Sequence, residues 1–283
     1  MQNLHFEDLK NTVCVLTGGG GAIGSSLGIY LSEMGIKMAI LDLNGTRAKE
    51  VAEEIKAKTG NEAIGLETSV LDKESLLAAK TTINTKLGKV NFLINAAGGN
   101  SPKGTTDLEQ LENVSEENLQ KSFYGMDIDG FRKVYDLNFN GTLLPSMVFS
   151  TDMLHQGKGA IVNFSSMSAF HPLTRVGAYS AAKAAISNFT EWLAVHLAKQ
   201  NIRVNAVAPG FFVGEQNRFL LYDEKTGKLS ARGNKIIKNT PMGRFGEYEE
   251  IHGTVTYLLS DLAKFVTGIV IPIDGGFNAF SGV

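Results

Sequence analysis

Tyr179 and Lys183 stand four residues apart in the run Ala178-Tyr-Ser-Ala-Ala-Lys-Ala-Ala-Ile186. Four residues is close to one helical turn, so both side chains leave the same face of a helix. A free phenol has a pKa of about 10 and is a poor acid–base catalyst near neutrality. A nearby ammonium favours the phenolate and lowers that pKa. The pair thus has the makings of a proton donor and its tuner. Of the seven tyrosines, only Tyr179 has a lysine four positions on. Ser166, thirteen residues upstream of Tyr179, closes the run Ile161-Val-Asn-Phe-Ser-Ser166. Its hydroxyl could donate to a carbonyl oxygen and stabilise the alkoxide that forms as hydride arrives. With Ser165 and Ser168 beside it, it also reads as a polar strand end. Asn138, in Asp136-Leu-Asn-Phe-Asn-Gly141, is a further polar candidate, and a satisfied buried helix asparagine is an equal reading.

A second group of residues suits a dinucleotide. Thr17-Gly-Gly-Gly-Gly-Ala-Ile-Gly24 follows an apolar run and opens a helical pattern. Gly19-x-Gly21-x-x-Gly24 meets the dinucleotide fingerprint in the strand–turn–helix setting it requires. Gly18, Gly19, Gly21, Ala22, Ile23 and Gly24 would bring backbone N–H groups and a helix start up to a pyrophosphate. Further on, Ile40-Leu-Asp42 ends a second apolar run. A carboxylate there accepts from ribose hydroxyls and repels a 2′-phosphate. The nearest cation, Arg47, falls inside the next helical pattern, so NAD is expected rather than NADP. Asp42 could instead cap that helix, a job Asn44 or Thr46 could also do.

These residues need a scaffold. Val13–Thr17, Lys37–Leu41, Glu62–Leu66, Val90–Asn95, Ala160–Phe164, Arg203–Val207 and Ile269–Ile273 read as strands buried on both faces. Helical spacing covers Gly24–Met34, Arg47–Lys58, Glu74–Leu87, Gly141–His155, Tyr179–Gln200 and Glu247–Ser260. Strand–helix alternation along the chain predicts an α/β fold: one doubly wound, Rossmann-type parallel sheet with helices on both faces. No Pro/Gly/Ser-rich linker divides the 283 residues, so a single domain over 1–283 is expected. Two excursions, near 100–130 and 209–244, break the alternation and read as substrate loops.

Composition narrows the function classes. A net charge of −2, with scattered Lys and Arg, points to neither nucleic acid nor an anionic membrane. The one cysteine, Cys14, cannot form an internal disulfide and reads as a buried core residue in a reducing cytoplasm. The first ten residues lack an apolar signal region, and no apolar run approaches a membrane span, so a soluble cytoplasmic protein is expected. The five histidines are dispersed without ligand spacing, and no metal is implied.

The chain resembles the short-chain dehydrogenase/reductase family over essentially its whole length. The features fall in order: the Thr17–Gly24 loop, Asp42, Asn95-Ala-Ala-Gly98, Asn138, Ser166, Tyr179-x-x-x-Lys183, Pro209-Gly210 and Asp274-Gly-Gly276. The resemblance implies a tetrad of Asn138, Ser166, Tyr179 and Lys183. Tyr179 would exchange the proton, Lys183 would tune it and hold the nicotinamide ribose, and Ser166 would orient the carbonyl. Asn138 would keep a water beside Lys183. It also implies cofactor contacts from Leu43, Ser69, Val70, Asn95, Ala96, Ala97, Gly98, Pro209, Gly210 and Phe212, and a homo-oligomer, dimer or tetramer. The chain departs from the family pattern at Ala22, usually glycine, at Ala96, usually asparagine, and at Ser69, often acidic. Gly214 stands where a hydroxyl residue is usual five places after Pro209, which removes one contact to the carboxamide.

Longer segments resemble family members that take a sugar acid: Asn95–Asn100, Asp136–Pro145, Pro172–Thr174, Pro209–Phe212 with Glu215–Arg218, and Pro241–Gly246. Such a substrate brings one carboxylate and several hydroxyls, which call for a cation and amide-type partners. Asn100, Lys103, His171, Arg175, Gln216, Asn217 and Arg218 are the candidates, with Arg175 and Arg218 leading for the carboxylate. Arg244 reads as a lid anchor. A relative acting on another sugar acid or a polyol is the main alternative. A nicotinamide-binding regulator without turnover would leave the Tyr179, Lys183 and Ser166 set unexplained.

Overall fold

The computed structural model describes residues 6–214, 218–223 and 226–282. Seven parallel strands form one sheet in the order β3-β2-β1-β4-β5-β6-β7. They are β1 Val13–Thr17, β2 Lys37–Asp42, β3 Ala63–Glu67, β4 Phe92–Asn95, β5 Gly159–Phe164, β6 Ile202–Pro209 and β7 Val270–Ile273. The expected runs match within a few residues. The helices are α1 Ala22–Glu33, α2 Gly45–Thr59, α3 Lys73–Lys86, α4 Glu116–Lys121, α5 Ile128–Gln156, α6 Gly177–Leu197, α7 Arg218–Leu221, α8 Ala231–Lys238 and α9 His252–Leu259.

Alternation inside the buried strands assigns the two faces. Cys14 and Leu16 of β1 join Met38, Ile40 and Ile94 in a core that takes in residues of α1, α2 and α9. Val13 and Val15 join Ala39, Leu41 and Leu93 in a second core with residues of α3, α5 and α6. The central strands β1, β4 and β5 are buried along their whole length because helices cover both faces, whereas the edge strands β3 and β7 are partly exposed. The Cys14 thiol is fully buried, and burial pushes its pKa up, so it is an inert core residue.

One helix departs from expectation. Helix α5 begins thirteen residues before the apolar pattern at Gly141 suggests. In those thirteen residues the buried positions are Gly130, Val134 and Asn138, of which only Val134 is an apolar side chain of any size, so hydrophobic spacing does not mark this part of the helix. The first excursion also carries α4, and the second carries α7 and α8. No described helix is long and apolar enough to cross a membrane.

The strand order reverses direction between β1 and β4. In such sheets the ligand crevice opens at the carboxyl ends of the strands flanking that point. Thr17 Oγ1 accepts from the N–H groups of Ala96 and Ala97 at 3.2 Å each, tying the two strand ends together at the base of the crevice.

Candidate active site

Tyr179 lies in the first turn of α6 and Lys183 one turn on. The Lys183 side chain is buried, its Nζ donates to Phe164 O at 2.7 Å, and it lies 5.5 Å from the Tyr179 ring centroid. Ser166, just past β5, is hydrogen-bonded to Tyr179, and its Oγ also accepts from Ser168 N at 3.2 Å. Ser165 is a different matter: its hydroxyl donates to Lys183 O at 3.0 Å and meets Ser187 Oγ at 2.7 Å, bracing α6 against β5.

The electrostatics are less simple than the spacing suggests. Burial raises the Tyr179 pKa, and the opposing influence is the Ser166 hydrogen bond. Burial lowers the Lys183 pKa to about 7. Desolvation therefore outweighs the attraction between cation and phenol, and Ser166 is the group that favours the Tyr179 phenolate.

Asn138 is fully buried in α5. Its Nδ2 donates to Gly99 O at 2.7 Å and Val134 O at 2.8 Å, and its Oδ1 accepts from Gly99 N at 3.2 Å. These three bonds go to backbone and clamp the segment after β4 onto α5. A Cβ on Gly98 would meet Asn138 Oδ1 at 2.6 Å and Lys183 Nζ at 3.3 Å, so the two side chains converge on that glycine.

These groups face a cavity of about 460 Å³ that runs from Asp42 to Tyr179. Gly18, Gly21, Ala22, Ile23 and Gly24 line one wall, Ala96, Ala97, Gly98 and Gly99 another, and Ser166, Lys183, Pro209, Gly210 and Phe212 the end nearest Tyr179. Helix α1 starts at Gly21 with no side-chain cap, which leaves the first-turn N–H groups of Ala22, Ile23 and Gly24 for an anion. A Cβ on Gly24 would stand 2.4 Å from Gly18 O, so only glycine lets the helix start this close to the loop. A chain of phosphates fits this cradle.

At the other end, Asp42 accepts from Gly20 N at 3.0 Å and Asn44 N at 2.9 Å. Asn44, not Asp42, caps α2, accepting from Arg47 N at 3.0 Å. That leaves the remaining lone pairs of Asp42 for ribose hydroxyls. Arg47 reaches further than its position inside α2 implies: its Nε donates to Gly20 O at 3.4 Å, beside Asp42, while Nη1 pairs with Glu50 at 3.1 Å. A carboxylate and a guanidinium thus share this end.

Other sequence candidates are placed elsewhere. Asn95 is buried beneath the crevice, donating to Ser146 Oγ and Asn163 Oδ1 at 2.9 Å each. Ser69 and Val70 lie in the turn after β3, outside the cavity lining, where Ser69 N donates to Ser75 Oγ at 3.1 Å. Gly19 packs beneath the loop against Ile40, and Leu43 is exposed. Asp274 folds the carboxyl-terminal turn by accepting from Gly276 N and Asn278 N at 3.0 and 2.7 Å.

Of the substrate candidates, Arg175 lines a second cavity of about 110 Å³, which shares Phe211 with the first. Its backbone is in the left-handed region, φ 71°, and its Nε donates to Thr106 O at 2.8 Å. A non-glycine residue held there is strained, and such strain gathers at functional sites. Two cations that sequence reading missed, Arg232 and Lys235 of α8, line the same cavity with Glu109. Lys235 pairs with Glu109. His171 is exposed and meets Asn278 O at 3.0 Å, and Asn100 is exposed outside both cavities. Arg218 stacks over the Tyr222 ring, 4.6 Å from its centroid. Gln216 and Asn217 lie outside the described residues. Arg244 is held by both Glu250 oxygens at 2.7 and 2.6 Å, as an anchor would be, and it keeps the Glu250 carboxyl at about 2. Among the described residues no cluster of His, Cys, Asp and Glu could hold a metal.

Residues 20–278 match the family model described as enoyl-(acyl carrier protein) reductase, adh_short_C2. A Bacillus subtilis protein named uncharacterized oxidoreductase UxuB is 46% identical over 278 residues, 98% of each chain. A Haemophilus protein provisionally named D-mannonate oxidoreductase, solved with bound NAD, superposes with a TM-score of 0.92 at 46% identity, over 98% of this chain and 99% of that one. An NAD⁺-bound xylitol dehydrogenase superposes with a TM-score of 0.81 at 29% identity, over 95% of this chain and 99% of that one.

Proposed function

Because the chain belongs to the short-chain dehydrogenase/reductase family, we propose that it is an NAD-dependent oxidoreductase interconverting D-mannonate and D-fructuronate. The observation that carries this reading is a single cavity with Asp42 at one end and Ser166, Tyr179 and Lys183 at the other. When bound, NAD supplies the hydride acceptor and its reduced form the donor. Gly18 through Gly24 and the start of α1 would hold the phosphates, Asp42 the adenosine ribose, and Ala96 through Gly98 the adjoining wall.

In the reductive direction Tyr179 gives its phenolic proton to the substrate oxygen as that oxygen gains charge. Ser166 donates a hydrogen bond to the same oxygen, a contact that strengthens as the alkoxide develops. Lys183 holds the nearby ribose and supplies positive charge beside the phenol. Asn138 fixes Gly99, and through it the wall against which the ring must lie.

The sugar acid is supported by two independent facts. One is the likeness, 46% identical over 98% of this chain, to the protein provisionally named D-mannonate oxidoreductase. The other is the cationic cavity of Arg175, Arg232 and Lys235, set against the catalytic cavity at Phe211. A carboxylate there would place the sugar chain toward Tyr179. The likeness to a xylitol dehydrogenase favours a second reading, a polyol substrate, which needs no cation. The test is NADH oxidation by the purified protein with D-fructuronate, 5-ketogluconate and a ketose, and NAD⁺ reduction with D-mannonate and xylitol. Turnover on the ketose and xylitol but not on fructuronate or mannonate would sink the sugar-acid reading.

We also infer self-association. Met147 of α5 and Trp192 and Val195 of α6 are exposed apolar side chains on two helices that pack together. Light scattering on the eluting protein tests this; a monomer at micromolar concentration would count against it. The lone buried thiol suits a reducing cytoplasm.

A further inference from the structure

Gly214 and Tyr248 occupy one another's space. A Cβ built on Gly214 would lie 1.6 Å from the Tyr248 hydroxyl oxygen, 2.7 Å from Cζ and 3.2 Å from Cε2. The first of these is close to a carbon–oxygen bond length. The phenolic oxygen therefore stands about where the side-chain hydroxyl of a serine or threonine at 214 would stand. Any residue but glycine at 214 would collide with the ring.

Tyr248 is held in this place by contacts on both sides. It opens a short 3₁₀ turn whose capping box joins Glu247 and Glu250, and Glu250 is pinned by Arg244. Just beyond, His252 stacks on Tyr30 of α1 with centroids 4.5 Å apart, and its Nε2 meets Ser26 Oγ at 3.0 Å. Phe212 bridges to Gly246, which brings the segment after β6 up to the same turn. The ring is thus braced between α1 and the Phe212–Gly214 segment, and it lines the dinucleotide cavity with Ile23, Phe212, Tyr179 and Lys183. The strand that leads to Gly214, β6, pairs with β5, which leads to Ser166. Asp42 ends β2, across the switch point. Tyr248 therefore stands at the hydride-transfer end.

We propose that the Tyr248 hydroxyl is a direct contact to the carboxamide of the nicotinamide ring and fixes which face of the ring turns toward Tyr179. This rests on the NAD reading above. A carboxamide offers both a donor and an acceptor, and a phenol can satisfy either. Burial, followed by the Glu249 charge, raises the Tyr248 pKa, so the hydroxyl keeps its proton throughout the neutral range. The contact arrives from a turn thirty-four residues beyond Gly214 rather than from the segment itself. It makes cofactor orientation depend on the Arg244–Glu250 turn.

The experiment is calorimetric titration of the purified protein with NADH and with ADP-ribose, which lacks the nicotinamide. Tyr248→Phe keeps the ring and removes the hydroxyl. The expected result is a roughly five- to tenfold weaker NADH affinity, the size of one neutral hydrogen bond, with ADP-ribose affinity unchanged. Adding Gly214→Thr to Tyr248→Ala, which clears the space and restores a hydroxyl, should recover NADH affinity relative to Tyr248→Ala alone. Unaltered NADH affinity in Tyr248→Phe, or an equal loss for ADP-ribose, overturns the contact. Failure of the unmodified protein to bind either ligand overturns the dinucleotide reading itself, and the contact with it.

Discussion

The Lys183 ammonium lies 5.5 Å from the ring centroid of Tyr179 and donates to Phe164 O at 2.7 Å. Its hydrogen bond thus goes to the backbone at the end of β5, while the Tyr179 hydroxyl is paired with Ser166. The proposed proton donor is thus held by the serine, and the lysine stands beside its ring without a direct bond to the hydroxyl. Tyr179→Phe should lower kcat on D-fructuronate by about 1,000-fold or more, while NADH affinity stays within a few-fold. Steady-state rates with NADH titrations check this. Turnover near that of the unmodified enzyme would remove Tyr179 from the chemistry.

Burial of Lys183 has a consequence for stability. Its folded pKa of about 7 lies below the unfolded value, so between about pH 7 and pH 10.5 the unfolded chain binds more protons. The penalty is full below about pH 7 and vanishes above the unfolded pKa. Lys183→Met should therefore stabilise the ligand-free protein by on the order of 3 kcal/mol at pH 6, with the gain shrinking toward pH 10. Urea unfolding of both proteins across that range checks it. A gain that grows with pH would contradict the sign.

What was legible in the chain was local. Tyr179 and Lys183 are one turn apart, the glycines of the loop are adjacent, and Asp42 ends a strand whose apolar run marks it. Such spacings survive folding because the element itself enforces them. Arg232, Lys235 and Tyr248 were not legible, because each reaches its cavity from a segment remote in sequence from the residues it meets. Asn95 was misleading for the opposite reason. Its neighbours Ala96 and Ala97 do line the cavity, but period two along the strand end sends its own amide inward to Ser146 and Asn163.

The Asp42 end of the cavity carries both a carboxylate and a guanidinium. With Asp42 as the proposed ribose contact, its charge would exclude a 2′-phosphate, and Arg47, already at Gly20 O, would be placed to bind one. Asp42→Ala alone should lower the ratio of kcat/KM for NAD over NADP by roughly 100-fold, and Leu43→Arg should add to the change. Paired kinetics with the two dinucleotides measure it. An unchanged ratio would take Asp42 out of ribose recognition.

Far from the cavity, Asp152 gives a test of fold alone. It is buried, with Lys80 at 3.1 Å and Val90 N at 3.2 Å. Removing one partner of a buried pair strands the other. Asp152→Ala should cost about 3–5 kcal/mol of stability with little change in KM for NADH. Denaturant midpoints read the first and kinetics the second.

The substrate carboxylate divides two arginines. Arg175 is strained in the left-handed region and lines the cationic cavity with Arg232, whereas Arg218 stacks on Tyr222. Strain held by the surrounding fold at a cavity wall argues for a function there, and cation stacking on a ring satisfies Arg218 where it lies. Arg175→Ala and Arg232→Ala should each raise KM for D-fructuronate about tenfold, the worth of one charged hydrogen bond, and leave kcat less affected. An uncharged ketose should show no such change, because it has nothing for either arginine to hold. Arg218→Ala is the contrasting variant: a large KM increase there, with none at Arg175 or Arg232, would move the carboxylate to the α7 side of the loop.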